Sequence, residues 1–499
     1  MGLEPRITTI TSAKLDIGSD ARDAARDLLT IGTCGKEEAK SNVVRFSLAH
    51  VNDMQARYSE RIGKHSRYAY VAGALRQQKR DKPNTLVLDA GDDYEKGSFV
   101  DLVTHGESTR QIVQTLPIDV RTMGNHDFAY GEGAVARDVR ESAHPVLATN
   151  LRDLREGGEH IPFARFVRAE VGCVRVGIFG FVTRNYLASD QQTRDPYFGR
   201  FESETRYREI TERIMAEHRA EVDVMIMLNH MGLGDDMGLG QLPGVDIVVG
   251  AHSEDTLKNA LPLYRRDGSR SWLTQAGHYA RAYGLGDVVV DRARKNVWFE
   301  SYRIVDVDGS LPVAEDVTAL VDSLEREYTP DLHASLVKLP EGISPGRPMS
   351  ELLWQAVREQ FDADGLVVAK DAFWGGLPRG DVTLSRLYES LMVQKQPAGT
   401  EGMSALTEVE MELGDLLSLS ERAKGPLVDV FAAPQLAAFR GDAQKRSEKV
   451  RVYVERRLAL HPEVAFFQGV SFPEPRPVGE LVDVLRPFLK KRARASDNR

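Results

Sequence analysis

Cysteine is nearly missing from this chain: among 499 residues only Cys34 and Cys173 occur. So few, and so far apart in sequence, they exclude a disulfide-stapled scaffold and a thiolate zinc site, and they fit a reducing compartment. No uncharged apolar run reaches the roughly 18 residues that a membrane span requires. The amino terminus, MGLEPRITTITSAKLDIGSD, carries Glu4, Arg6, Lys14 and Asp16 and no apolar core of secretory length, so no signal peptide is expected. Arg6 stands where a myristoylation signal has Ser or Thr. These absences point to a cytoplasmic protein without a membrane partner. A basic excess is also lacking: 65 Lys+Arg stand against 74 Asp+Glu, a net charge of −9. Nucleic acid is therefore not an expected partner. What remains, 42% hydrophobic and 28% charged residues, is soluble globular composition, long enough for two or three domains.

Residues 1–43 are polar and charge-mixed, with a helix expected from Asp20 to Leu29. From Val44 the pattern changes. Short β-rich runs occur at Val44–Leu48, Thr85–Leu88, Val146–Ala148, Val174–Phe181, Val222–Leu228 and Asp246–Val249. Helical stretches such as Tyr70–Gln78 and Glu204–His218 lie between them, which reads as a layered α/β domain. A last β stretch, Gly286–Val290 and Val297–Val305, closes this domain near residue 310. The spacing then gives a helical linker over 311–348, a second domain over 349–472 and a tail over 473–499.

Five short signatures follow in order through the first domain: HVNDMQ (His50–Gln55), AGDDYEKGS (Ala90–Ser98), GNHD (Gly124–Asp127), NHMG (Asn229–Gly232) and GAHSE (Gly250–Glu254). An Asp after a strand is commonly a cap, and a single loop His is commonly structural. Together the five supply carboxylate, amide and imidazole groups, the donor mixture of a dinuclear hydrolase. Most lie just past a strand, where ligands of open α/β folds gather.

The series resembles the calcineurin-like metallophosphoesterases, and within them the 5′-nucleotidase family with its UDP-sugar hydrolases and cyclic-nucleotide phosphodiesterases. QAGHYARAYG (Gln275–Gly284) stands where that family carries a QAG stretch. The resemblance implies a four-layer α/β/β/α sandwich followed by a smaller α/β carboxy-terminal domain. It implies two divalent cations. One is held by Asp53, Gln55, Asp92 and Glu254, and the other by Asp92, Asn125, His230 and His252, with Asp92 bridging. Gln55 and Glu254 depart from the family's imidazole-rich pattern and make the first set richer in oxygen. That favours Mn²⁺, with Mg²⁺, Zn²⁺ or Co²⁺ as alternatives. The implied chemistry is in-line attack on a phosphate ester by a water shared between the cations. His126 stabilises the transition state or protonates the leaving oxygen. The Asp that orients this His in the family is replaced by Ala129, leaving Asp127 or Glu95 as candidates for that task.

In the second domain the family's nucleotide-binding loop corresponds to AKDAFWGGLPRGDVT (Ala369–Thr383), and the position of its phosphate-binding Arg is Trp374. Arg347, Lys370 and Arg379 are the candidate replacements, with Trp374 placed either to stack on a ring or to pack the core. The expected substrate is a small phosphate ester: a nucleotide first, a sugar phosphate or other metabolite second. A catalytically degenerate binding or regulatory protein is the alternative of another class.

Overall fold

The computed structural model describes residues 26–95, 97–151, 161–183, 206–373, 375–391, 405–423, 428–439, 441–455, 458–459, 470 and 476–497. Two sheets dominate the first domain. One has six strands, in the order Asn296–Asp306, Ala282–Asp291, Val43–Val51, Thr85–Asp89, Val120–Thr122 and Val146–Leu147. The other has seven, in the order Arg26–Ile31, Val167–Val171, Val174–Phe179, Val224–Leu228, Ile247–Val249, Arg270–Thr274 and Leu261–Tyr264.

Central strands such as Thr85–Asp89, Val224–Leu228 and Ile247–Val249 are buried along their whole length because both of their faces are covered. Phe46, Leu48, Leu86, Leu88 and Val120 of one sheet meet Val167, Ile178, Val224, Ile226 and Ile247 of the other in a shared core. On the outer face of the six-stranded sheet, helices Arg67–Asp81 and Glu315–Tyr328 bury Val71, Leu75, Val317, Val321 and Leu324. Helix Tyr207–His218 packs Ile210 and Ile214 on Phe179, Met225 and Met227 of the seven-stranded sheet. Helix, sheet, sheet and helix make the four expected layers. The helix assigned to a linker, Glu315–Tyr328, is thus part of the first domain's packing.

Two expectations about the amino-terminal region change. The described part of the proposed Asp20–Leu29 helix is a strand, Arg26–Ile31, pairing in parallel with Val167–Val171. Its period is two: Leu29 and Ile31 reach the inter-sheet core while Leu28 faces out. Residues 20–25 lie outside the described residues. The two cysteines, expected to remain apart, form a disulfide, Cys34–Cys173. Strand pairing carries Cys34 to the turn that precedes Val174, so sequence distance is a poor guide to spatial distance here. With the pair bonded, scarcity of cysteine no longer implies a reducing compartment.

The second domain is built on a five-stranded sheet in the order Val428–Ala432, Gly365–Ala369, Lys449–Glu455, Ala405–Glu412 and Arg476–Glu480. Helices Arg347–Phe361 and Leu481–Asp497 cover one face through Leu352, Leu353, Leu481, Leu485 and Leu489. Helix Leu413–Arg422 covers the other through Leu416 and Leu417. The stretch read as a tail is therefore a core helix, since its apolar face has a partner. The short helix Phe99–Val103 joins the domains: Val100 belongs to the first core and Leu102 to the second. The Phe99 ring meets Tyr388 edge-on at 5.0 Å.

Candidate metal centre

Strands Val43–Val51, Thr85–Asp89 and Val120–Thr122 run parallel in one sheet, as do Val224–Leu228, Ile247–Val249 and Arg270–Thr274 in the other. Their carboxyl ends deliver Asp53, Asp92, Asn125, His230, His252 and the 275–280 loop. The loops are tied to one another by backbone bonds. The N–H groups of Asp53, Gln55 and Ala56 donate to the carbonyls of Gly91, Asp92 and Asp93 at 2.9, 2.8 and 2.6 Å. Asn52 bridges onward, donating to Gly277 O at 2.6 Å and accepting from Ala276 N at 2.9 Å.

Five of the seven expected ligands, Asp53, Gln55, Asp92, His252 and Glu254, have a left-handed backbone, with φ between 48° and 75°. Non-glycine residues hold this conformation only where the surroundings over-determine it, a feature of functional sites. Gly124 permits a close approach: a Cβ there would stand 2.1 Å from Asp92 Oδ1 and 2.5 Å from its backbone nitrogen.

Asp92, His230 and His252 each present a ligand atom within 4.8 Å of the others. His230 Nδ1 donates to Ala90 O at 2.8 Å, which directs Nε2 into the site, 3.0 Å from Asp92 Oδ2 and 3.9 Å from Asp53 Oδ1. Burial alone would lower the His230 pKa. The Asp92 and Asp53 carboxylates reverse this and push it up to about 10. Burial also raises Asp53, reinforced by Asp92 against the pull of His230. Asn125 Oδ1 and Gln55 Oε1 are buried acceptors without a hydrogen-bond partner among the described residues. These are the atoms that the ligand assignment asks of those residues, and the donor set fits a hard divalent cation.

The first set is less complete. The Asp53 carboxylate accepts from Asn52 Nδ2 at 2.8 Å and from His252 N at 3.1 Å. Glu254 is engaged from both sides, by Gln55 Nε2 at 3.1 Å and by His278 Nδ1 at 3.3 Å. His278 was not singled out from the sequence. Its place in the QAGH stretch was the available signal.

Asp127 is not arranged as a catalytic residue. Its carboxylate accepts from the backbone N–H groups of Asp92, Asp93, Tyr94 and Gly124 at 3.2, 2.8, 3.3 and 2.7 Å. It clamps the two loops that carry Asp92 and Asn125. Behind it the fully buried Arg121 pairs with Asp138 at 2.9 Å and Asp93 at 3.4 Å. Breaking a buried pair of this kind costs about 3–5 kcal/mol. Asp236, which also escaped the sequence reading, accepts from Asn229 Nδ2 at 3.0 Å, and burial pushes its carboxyl up to about 8.

The candidate substrate residues of the second domain divide. Arg347 and Lys370 converge on the buried Asp429 carboxylate, at 3.1 and 3.9 Å, and Arg347 also lies 5.0 Å over the Phe431 ring. Arg379 is exposed in the turn before strand Gly380–Thr383. Trp374 lies outside the described residues.

Comparison with known proteins supports the same architecture. Residues 46–253 match the calcineurin-like phosphoesterase family model. An apyrase of Tabanus yao is 24% identical over 48% of this chain and 47% of its own length. The human 5′-nucleotidase is 26% identical over 59% of this chain and 55% of its own. The chain thus spans about half the length of these curated relatives. Among solved structures, a 5′-nucleotidase precursor from Thermus thermophilus superposes with a TM-score of 0.69 at 18% identity, covering 90% of this chain and 97% of that one. With its paired sheets and the matched segment in register, the chain carries a calcineurin-like phosphoesterase domain over residues 46–253 and is similar to 5′-nucleotidases.

Proposed function

We propose that this protein is a divalent-metal-dependent phosphoester hydrolase, acting as a phosphomonoesterase on a nucleotide or a related small phosphate ester. The observation that carries the reading is the convergence of Asp92, His230 and His252 within 4.8 Å of one another, with Asp53 3.9 Å from His230, from strand ends in two sheets. Asp92, Asn125, His230 and His252 would hold one cation, and Asp53, Gln55, Asp92 and Glu254 the other. A bound pair supplies activation of water and neutralisation of phosphoryl charge. The oxygen atoms of Gln55 and Glu254 favour Mn²⁺.

The chain's own residues supply position and protons. His230 is fixed by Ala90 O, and the Asp92 carboxylate, which would be shared by the two cations, is fixed by loops that Asp127 clamps. His126 delivers a proton to the leaving oxygen.

A sugar phosphate is the second reading. It is favoured by the commitment of Arg347 and Lys370 to Asp429, which leaves the exposed Arg379 as the one remaining candidate of the three for the family's nucleotide-phosphate contact. The Cys34–Cys173 pair leads us to place the protein in an oxidising compartment instead of the cytoplasm. Among the described residues no helix is long and apolar enough to cross a membrane.

The test is chelator stripping, resupply with Mn²⁺, Mg²⁺, Zn²⁺ or Co²⁺, and phosphate release from nucleoside monophosphates, sugar phosphates and a bis-ester. Mn²⁺ is expected to restore turnover best, with monoesters ahead of the diester. A folded protein that turns over none of these with any metal would overturn the reading and favour a binding protein.

A further inference from the structure

His126 stands beside the ligand Asn125 and is only 4% exposed. Its backbone N–H donates to Asp92 Oδ1 at 2.7 Å, and its ring Nε2 lies 4.0 Å from Asp92 Oδ2. That ring edge therefore faces the candidate centre. The opposite edge is held: Nδ1 meets Glu95 Oε2 at 2.5 Å, with the Glu95 side chain also buried. Three residues beyond His126 the chain offers Ala129, whose methyl group is buried and has nothing to donate or accept.

Glu95 comes from a different part of the chain, the turn between strand Thr85–Asp89 and helix Phe99–Val103. Its backbone is left-handed, φ 60°, a conformation that persists in a non-glycine residue only under restraint. The restraint is visible. The Glu95 N–H donates to Asp101 Oδ2 at 3.0 Å. That carboxylate also accepts from the Tyr130 hydroxyl at 2.6 Å and from the Thr109 hydroxyl. Asp101 lies on the helix that joins the two domains. A side chain held this way at both its backbone and its carboxylate has one orientation, and it passes that orientation to the imidazole.

We propose that Glu95 is the positioning residue for His126, taking hold of Nδ1–H so that Nε2 is presented to the reacting phosphate ester. The proposal rests on the phosphoester-hydrolase reading. As water bonds to phosphorus and the P–O bond to the leaving group breaks, the leaving oxygen takes the Nε2 proton of the imidazolium, whose charge the Glu95 carboxylate offsets through Nδ1–H, and the ring is left neutral and Nδ1-protonated. The attacking water releases a proton to solvent, and His126 regains one from solvent. The need for this transfer depends on the leaving group: an alkoxide requires it, whereas p-nitrophenolate leaves almost unaided.

The experiment compares Mn²⁺-loaded wild type, Glu95→Ala and Glu95→Gln on a nucleoside monophosphate and on p-nitrophenyl phosphate. Metal content is measured alongside. Glu95→Ala is expected to lower kcat on the nucleotide by about 100-fold, with KM within about threefold, and to lower kcat on p-nitrophenyl phosphate far less. Glu95→Gln, whose amide oxygen still accepts from Nδ1–H, is expected to recover part of the loss. A second readout needs no turnover. In ¹⁵N-histidine spectra of metal-free protein, the His126 ring should be Nδ1-protonated in wild type and averaged between tautomers in Glu95→Ala. Equal losses on both esters, no loss, or an unchanged ring signal would overturn the proposal. Should wild type hydrolyse neither ester, the enzymatic reading fails, and the ring signal still decides whether Glu95 holds His126.

Discussion

At the scale of single residues, the centre is surrounded by carboxyl groups that burial has pushed away from their ordinary range. Asp236 shows the consequence with little interference, because its contact is with Asn229 instead of an arginine. Its pKa rises from 3.8 to about 8 in the fold. The folded state thus keeps a proton there that the unfolded chain has already lost between those two values. More protons on the native side mean that stability falls as pH rises through that window. Below about pH 4 both states are protonated and the penalty is absent. An Asn at this position keeps an acceptor for Asn229 and never titrates. Asp236→Asn in the metal-free protein is therefore expected to gain stability over wild type progressively from pH 4 to pH 8, by up to about 1.4 kcal/mol per unit. Urea midpoints across that range provide the measurement, and a difference that does not change with pH would refute the assignment.

At the scale of elements, the site depends on how closely two loops approach. The loop after Val120–Thr122 presses on the loop after Thr85–Asp89 at Gly124, and a methyl group there would overlap both the side chain and the backbone of Asp92. Gly124→Ala must part the loops that Asp127 ties together. It is expected to abolish stoichiometric metal binding and to lower activity at least ~100-fold, the order lost when reacting groups are misplaced by an ångström. Titration calorimetry with Mn²⁺ would show whether binding survives. Much of this was legible beforehand. Runs such as Val224–Leu228 are apolar throughout because two layers cover them, and the candidate ligand residues stand just past such runs. What could not be read was who meets whom across the chain. Arg26–Ile31 looks helical in isolation and is recruited as a strand by Val167–Val171. The amphipathic stretch near the carboxyl terminus announces a face but not the second-domain core that receives it. Asp127 follows His126 in sequence, yet its carboxylate is turned toward four backbone N–H groups, while Glu95 reaches the imidazole from 31 residues away.

For the whole molecule, chemistry and covalent restraint sit at opposite ends of the same sheet. Strand Val174–Phe179 begins beside Cys173 and points its carboxyl end toward the metal loops, where Thr183 N donates to His230 O at 2.8 Å. Six strand residues separate the ends, about 20 Å. The Cys34–Cys173 bond therefore fastens the edge strand Arg26–Ile31 and its following turn without touching the ligands. Closing so long a loop restricts the unfolded chain more than the folded one, a contribution of about 2–4 kcal/mol in typical cases. The double replacement Cys34→Ser with Cys173→Ser is expected to lower the stability of the first domain by that amount while leaving kcat and metal stoichiometry near wild type. Thiol titration of the denatured, unreduced protein should find no free sulfhydryl, and two after reduction. Two free thiols in protein purified without reductant would show that the pair is not bonded, and would return the protein to a reducing compartment. A fall in kcat on replacement would show that the far edge of the sheet reaches the centre after all.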